Sequence, residues 1–169
     1  MGVGAAATLV AVSSTSFHVT FVCTGNICRS PIAEKVFAAA VRDAGLDRRV
    51  RVSSAGTGGW HAGDPADPRA VEVLRRHGYD TAHRARQVAV EHTGADLLVA
   101  LDAGHARSLR RLVDHPERVR VLRSFDPAAD PADLDVPDPY YGERDGFDGV
   151  LAMVEAATPG LLRWVREQL

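Results

Sequence analysis

Cysteine is scarce in this chain, with Cys23 and Cys28 the only two. That excludes a disulfide scaffold, and without a second pair at ligand spacing it gives no sign of a structural metal site. Thiols kept reduced fit a cytoplasmic protein. Lysine is scarcer still, Lys35 standing alone against nineteen arginines, yet the arginines are scattered and the net charge is −2. A nucleic-acid protein would carry a basic excess, so that class is set aside. No apolar run approaches the roughly 20 residues of a membrane span. Residues 1–16 are small and weakly apolar but lack the positive start of a secretory signal, and Ala6 breaks the myristoylation pattern that Gly2 begins. They are expected to be a flexible extension ahead of one domain over 17–169, an interfacial role being the less favoured reading.

What is present is ordinary for a folded domain: 169 residues, 46% hydrophobic and 25% charged, enough to bury a core without staples. Phe17 to Val22 and Val50 to Ala55 read as strands, and Asp96 to Leu101 is a continuous apolar run suited to a central parallel strand. Arg118 to Leu122 alternates and reads as a last, half-exposed strand. Between them Pro31 to Val41 carries a helical apolar stripe stopped by Gly45, with Ser30 as candidate N-cap. Asp67-Pro68 starts another helix closed by Gly78, and Asp102 caps a third that runs through His105 to Val113. Asp126 to Pro139, with four prolines and five aspartates, is loop. Phe147 to Ala157 is helical, with a break or kink expected near Pro159-Gly160. The expected fold class is α/β, a three-layer arrangement of a four-stranded parallel sheet flanked by helices. Ligands of such sheets bind outside the carboxyl ends of the strands. The loops after Cys23, Gly56 and Asp102 and the aspartate-rich loop should therefore meet at one edge.

The stretch Val22-Cys23-Thr24-Gly25-Asn26-Ile27-Cys28-Arg29-Ser30-Pro31 joins the first strand to the first helix. Backbone N–H groups and a helix N-terminus converge on an anion at such a junction, so it reads as a phosphate-binding loop. A free thiol ionises near ~8.5, and amides, a helix start and a guanidinium all favour the thiolate, which makes Cys23 a candidate nucleophile. Arg29, planar and always charged, suits bidentate contact with phosphoryl oxygens. Gly25 permits close approach or positive φ, Asn26 tolerates the left-handed region, and Ser30 can donate to the Cys23 sulfur. A covalent route also needs a group to protonate the leaving oxygen and later activate water. Asp138 is the candidate, followed by Pro139 and by Tyr140 and Tyr141, two rings able to wall a slot for a planar substrate. Its plain alternative is a turn residue, as Asp before Pro often is.

These residues, from Val22 to Pro31 and from Asp138 to Tyr141, closely resemble the low-molecular-weight protein-tyrosine phosphatases, and the actinobacterial members most. Ser54-Ala55-Gly56-Thr57, His83 to Gln87 and Leu101-Asp102 fall where that family has similar stretches. The resemblance implies Cys23 as nucleophile, Arg29 as transition-state clamp and Asp138 as general acid, then base. It implies that Asn26, Ser30, Ser54 and His83 form a hydrogen-bonded support beneath the loop and that Trp60 lines the cleft. The loop residues Thr24, Gly25, Asn26, Ile27, Cys28 and Ser30, with Trp60, Tyr140 and Tyr141, are the expected substrate contacts. Expected partners are phosphotyrosine-containing proteins, with inorganic phosphate as product and inhibitor, no nucleic acid, no membrane, no metal or other cofactor, and a monomeric chain. Some actinobacterial members are exported, so export of this chain stays open beside a cytoplasmic location.

Several rivals define the reading. Arsenate reductases share the fold and loop but need further cysteines to relay a disulfide, and two do not suffice. Phosphoarginine phosphatases resemble the family with Thr at the position of Ile27, so Ile27 favours phosphotyrosine. A non-catalytic phosphotyrosine-binding module would be expected to lack the nucleophile or the acid, and both are here. Two readings of Cys28 stand: a small loop residue, or a redox partner that captures oxidised Cys23 as a disulfide. Trp60-His61 reads as a cleft-rim anchor over a surface accident, since an exposed Trp is uncommon. The remaining histidines are too dispersed to suggest a metal site.

Overall fold

The computed structural model describes residues 16–169, so the extension expected over 1–16 lies outside the described residues save for Ser16. Four strands, β1 (Phe17–Cys23), β2 (Val50–Gly56), β3 (Leu97–Ala100) and β4 (Val119–Val121), form one sheet in the order β2-β1-β3-β4. Every neighbouring pair is parallel, as crossover helices require. The helices are α1 (Arg29–Asp43), α2 (Pro68–Arg76), the short α3 (Val90–Thr93), α4 (Ala103–Arg110) and α5 (Asp145–Gln168). The expected α/β class with a helix-covered sheet is what the chain adopts.

Side-chain alternation along the strands separates two cores. Val19, Phe21 and Cys23 with Leu97, Val99 and Leu101 face the large cluster built with α1, α2 and α5. Val22, Leu98 and Ala100 face the smaller one, where Ala106 and Leu109 of α4 cover the sheet. A strand buried on both faces reads as a continuous apolar run, which is why β3 was legible.

Two local expectations need correction. Ser30 is not the N-cap of α1: that position is Cys28, without a side-chain cap bond, and Ser30 lies inside the first turn. Its hydroxyl is drawn to Cys23 instead, so the loop and not the helix end claims it. Nor does Pro159 break the last helix, since α5 runs unbroken over 24 residues. The carbonyl Pro159 leaves without a helical donor belongs to Glu155, an exposed residue. Thr158 inside the same turn donates its hydroxyl to the Val154 carbonyl at 2.7 Å. Gly160 serves packing, because a Cβ there would stand 2.0 Å from the Phe125 carbonyl oxygen. The Gly45 stop and the Asp67 and Asp102 caps follow expectation, while α4 ends at Arg110, short of Val113. Gly45, at φ 71°, closes α1 with Gly45 N–H on Arg42 O and Leu46 N–H on Val41 O. Asp67 caps α2, and Asp102 caps α4 by accepting from the His105 amide at 2.8 Å.

Candidate active site

The carboxyl end of β1 delivers Cys23 to the sheet edge, and the chain turns through residues 24–28 into α1. Asn26 makes that turn possible: it is the one non-glycine residue with positive φ, 57°, among the described residues. Its amide is fully buried and used on both sides. Nδ2 donates to Ser30 Oγ at 2.8 Å and to Ser54 Oγ at 2.9 Å, while Oδ1 accepts the Arg86 amide at 2.9 Å. His83 Nε2 donates to the Asn26 carbonyl at 2.7 Å, and burial keeps that ring below the usual histidine range. Because Ser30 Oγ accepts from Asn26, its own proton is free to point at Cys23 Sγ, 2.9 Å away. Ser30 is therefore a donor to the sulfur.

The strand next door closes the loop from the side. Thr57 donates its amide to Cys23 O at 2.8 Å and Gly58 to Thr24 O at 3.0 Å. This approach requires Gly56, where a Cβ would lie 2.6 Å from the Thr24 carbonyl oxygen. Among the described residues the amides of residues 24–28 find no backbone acceptor. A run of unpaired N–H groups at a helix start is an anion site by construction.

Arg29 is the first residue of α1 and is 4% exposed. Its Nη1 donates to Asp102 Oδ2 and to the Val136 carbonyl, both at 2.9 Å, while Nη2 stands 3.9 Å from Asp138 Oδ2. One arm of the fork is thus fixed behind the loop and the other faces the acid. Burial alone would raise the Asp102 carboxyl, but the His105 amide and ring and the Arg29 guanidinium outweigh it and hold it below the usual range. His105 completes this corner with Nε2 2.8 Å from Thr24 Oγ1. Its Nδ1 lies 3.1 Å from Asp102 Oδ1 yet out of line for a hydrogen bond, so that nitrogen is buried without a partner among the described residues. Burial drives this ring down to about 4, so it is neutral at physiological pH.

The pocket over the loop has a volume of about 360 Å³. Cys23, Thr24, Gly25, Ile27, Cys28 and Arg29 floor it, and Trp60, His61, Asp138, Tyr140 and Tyr141 wall it. Gly25 provides the close approach expected of it, with His61 Cδ2 3.0 Å from where its Cβ would be. Trp60 is 78% exposed and its ring folds over Gly58. Tyr140 and Tyr141 meet edge to face at 4.9 Å, and Asp138 Oδ1 accepts the Tyr140 amide at 3.1 Å. The side chains of Asn26 and Ser30, expected among the substrate contacts, are fully buried beneath the loop beside Ser54 and His83 and taken up by the network there, which leaves Asn26 its backbone amide to offer a ligand. Cys28 is also buried, and its thiol is pushed up to about 12 by burial and the nearby Asp67, Cys23 and Asp138.

The sequence puts Asp102 at the binding edge as a helix cap but assigns no site role to it or to His105. The signal was there: Asp-x-x-His at a helix start, directly after an apolar strand, puts both beside whatever the sheet edge binds. The Val136 carbonyl on Arg29 leaves no trace in residue type.

Comparison with known proteins supplies the family. The profile of the low molecular weight phosphotyrosine protein phosphatases matches residues 18–169. The chain belongs to that family. It is 61% identical over 156 residues to low molecular weight protein-tyrosine phosphatase A of Mycobacterium tuberculosis, covering 92% of this chain and 96% of that one. To the low molecular weight protein-tyrosine-phosphatase of Streptomyces coelicolor it is 60% identical, with 91% and 96% covered. The crystal structure of a protein tyrosine phosphatase from Entamoeba histolytica superposes with a TM-score of 0.85 at 31% identity, covering 90% of this chain and 99% of the other. The actinobacterial likeness expected from the loop holds along nearly the whole chain.

Proposed function

We propose that this phosphatase hydrolyses phosphotyrosine in proteins through a cysteinyl-phosphate, with residues 17–169 as the catalytic unit. The observation that carries the reading is the stacking of three parts. Cys23 opens the loop whose amides, residues 24–28, have no backbone acceptor among the described residues, Ser30 Oγ stands 2.9 Å from its sulfur, and Asp138 lies 3.9 Å from Arg29 in the same pocket. The Cys23 thiolate forms a bond to phosphorus as the bond to the phenolic oxygen breaks, and that oxygen takes the Asp138 proton. The amides and the free arm of Arg29 hold the equatorial oxygens as charge shifts. Asp138, now a carboxylate, accepts a proton from water as its oxygen attacks phosphorus. The sulfur leaves as thiolate and inorganic phosphate is released, able to compete with substrate for the same amides. Trp60, Tyr140 and Tyr141 flank the phenol, and Ile27 in the floor gives an apolar contact for its ring. The chain acts on its protein substrates as a monomer in the cytoplasm, with no metal in the reaction. Among the described residues no helix is long and apolar enough to cross a membrane.

The test compares kcat/KM on matched phosphotyrosine and phosphoarginine peptides, with and without a chelator. Preference for phosphotyrosine, unchanged by chelation and lost in Cys23→Ser, is the expected result. Preference for phosphoarginine, or turnover surviving Cys23→Ser, would overturn the reading.

A further inference from the structure

The segment that carries Asp138 is fastened to the domain in an unusual way. Residues 137–144 lie between Val136, whose amide donates to Leu101 O, and the start of α5. Pro137 and Pro139 have no amide to give. The other backbone bonds of the segment are internal, Tyr140 N–H on Asp138 Oδ1 and Gly142 N–H on the Pro139 carbonyl, or come from the first turn of α5, Gly146 N–H on Glu143 O and Phe147 N–H on Arg144 O. Among the described residues only one side chain reaches its carbonyls from outside. Arg69 donates from Nη2 to Tyr140 O at 3.0 Å and from Nη1 to Gly142 O at 3.4 Å. The other polar ties are the exposed Arg144–Glu72 pair at 2.7 Å and the Arg29 contact with Asp138 itself.

Arg69 is itself held from three sides. Nε and Nη2 grip the Asp67 carboxylate at 3.0 and 2.9 Å, a bidentate contact that fixes the guanidinium plane. The Phe147 ring lies 4.6 Å from its central carbon and the Tyr140 ring 5.6 Å. Asp67 is in turn registered to the phosphate loop, since its amide donates to the Ile27 carbonyl at 2.9 Å. A continuous path of bonds therefore runs from the loop under the phosphate, through Asp67 and Arg69, to the backbone two residues past Asp138.

We propose that Arg69 is a positioning residue for proton transfer, clamping the Tyr140–Gly142 backbone so that the Asp138 carboxyl stands over the Cys23 loop. The proposal rests on reading Asp138 as the general acid. A plain helix-capping role for Arg69 would explain the grip on Asp67 but not the reach to two carbonyls of another segment. Lysine cannot replace it fully, having the charge without the planar fork.

Leaving-group dependence separates positioning from mere stability. A dinitrophenyl phosphate expels a phenolate that needs no proton, whereas phenyl phosphate needs one. The ratio of kcat/KM for phenyl phosphate over dinitrophenyl phosphate is measured on one protein sample, so any misfolded fraction cancels. Asp138→Asn should lower that ratio by about 10²–10⁴-fold, the usual worth of a general acid. Arg69→Met should lower it at least roughly tenfold, a small misplacement being enough for that, with Arg69→Lys in between. On the Asp138→Asn background Arg69→Met should change the ratio no further. If Arg69→Met slows both substrates equally, slows neither, or still alters the ratio once Asp138 is gone, the role given to Arg69 is wrong while the acid assignment stands. If Asp138→Asn itself leaves the ratio unchanged, the acid assignment falls and this proposal with it.

Discussion

The two halves of the site are built by opposite means. The nucleophile half is interior: Cys23, Asn26, Arg29 and Ser30 are all buried, and the support beneath them is a closed set of hydrogen bonds between 2.7 and 2.9 Å. The acid half is surface: the Asp138 side chain is 49% exposed, Tyr141 is 90% exposed, and among the described residues Arg69 is the one side chain that reaches the carbonyls of this segment. A buried polar network of this kind rigidifies when every member is satisfied and is costly to breach. An exposed segment with few ties opens at little cost. The contrast matches the two tasks. Phosphoryl oxygens need donors fixed before the charge develops, whereas the acid must let a protein-borne phenol in and out.

The contrast breaks most sharply at the sulfur. Cys23→Ser should cut kcat/KM on para-nitrophenyl phosphate by at least about 10⁴-fold, because the attacking atom itself is lost. Asp138→Ala should cost about 10²–10⁴-fold on phosphotyrosine peptide while leaving the urea midpoint within error, as an exposed residue would. Asn26→Ala should do the reverse in kind. It leaves Ser54 and the Arg86 amide without their partner and puts alanine at positive φ, so about 3 kcal/mol of stability should go, with activity falling tens of fold. An Asn26→Ala protein as stable as the parent would show that the support is not a stability element.

Acid exposes the next difference. The folded protein holds His105 at about 4, so between the ordinary histidine value and pH 4 the unfolded chain binds a proton that the folded one refuses. Stability should therefore drop as pH falls through that window, by up to roughly 3 kcal/mol from this ring alone. The urea midpoint at pH 7 and pH 4.5 should differ less in His105→Asn than in the parent. An identical pH dependence would contradict the burial of a neutral ring there. The smallest effect is chemical: near neutrality iodoacetamide should alkylate Cys23 and spare Cys28, whose thiol is pushed up to about 12. That value also makes Cys28 a slow partner for an oxidised Cys23, so a Cys28→Ser variant that recovers from peroxide as well as the parent would favour the plain loop-residue reading.

The residues that the proposed chemistry requires stand out in the sequence because each is unusual for its place. Cys23 opens a loop after an apolar strand, Arg29 starts a helix, and Asp138 precedes two tyrosines. The four strands and the helix stops at Gly45 and Gly78 were legible for the same reason, since period and punctuation are local, whereas the sheet order β2-β1-β3-β4 was not. What escaped depends on contacts across the chain. Ser30 looked like a cap, and only the position of Asn26 and Cys23 around it shows why it is not. Pro159 looked like a break, and only the exposure of Glu155 shows why the helix continues. Arg69, one of nineteen arginines, had no local mark at all; its meaning lies in carbonyls 71 and 73 residues away.

The central claim is that phosphate passes through the Cys23 sulfur. Acid-quenching the enzyme within the first turnovers of a phosphotyrosine peptide, followed by peptide mapping, tests it directly. The account predicts one phosphoryl group on the peptide containing Cys23 and none in Cys23→Ser. Turnover without that adduct, or an adduct on Cys28, would contradict it.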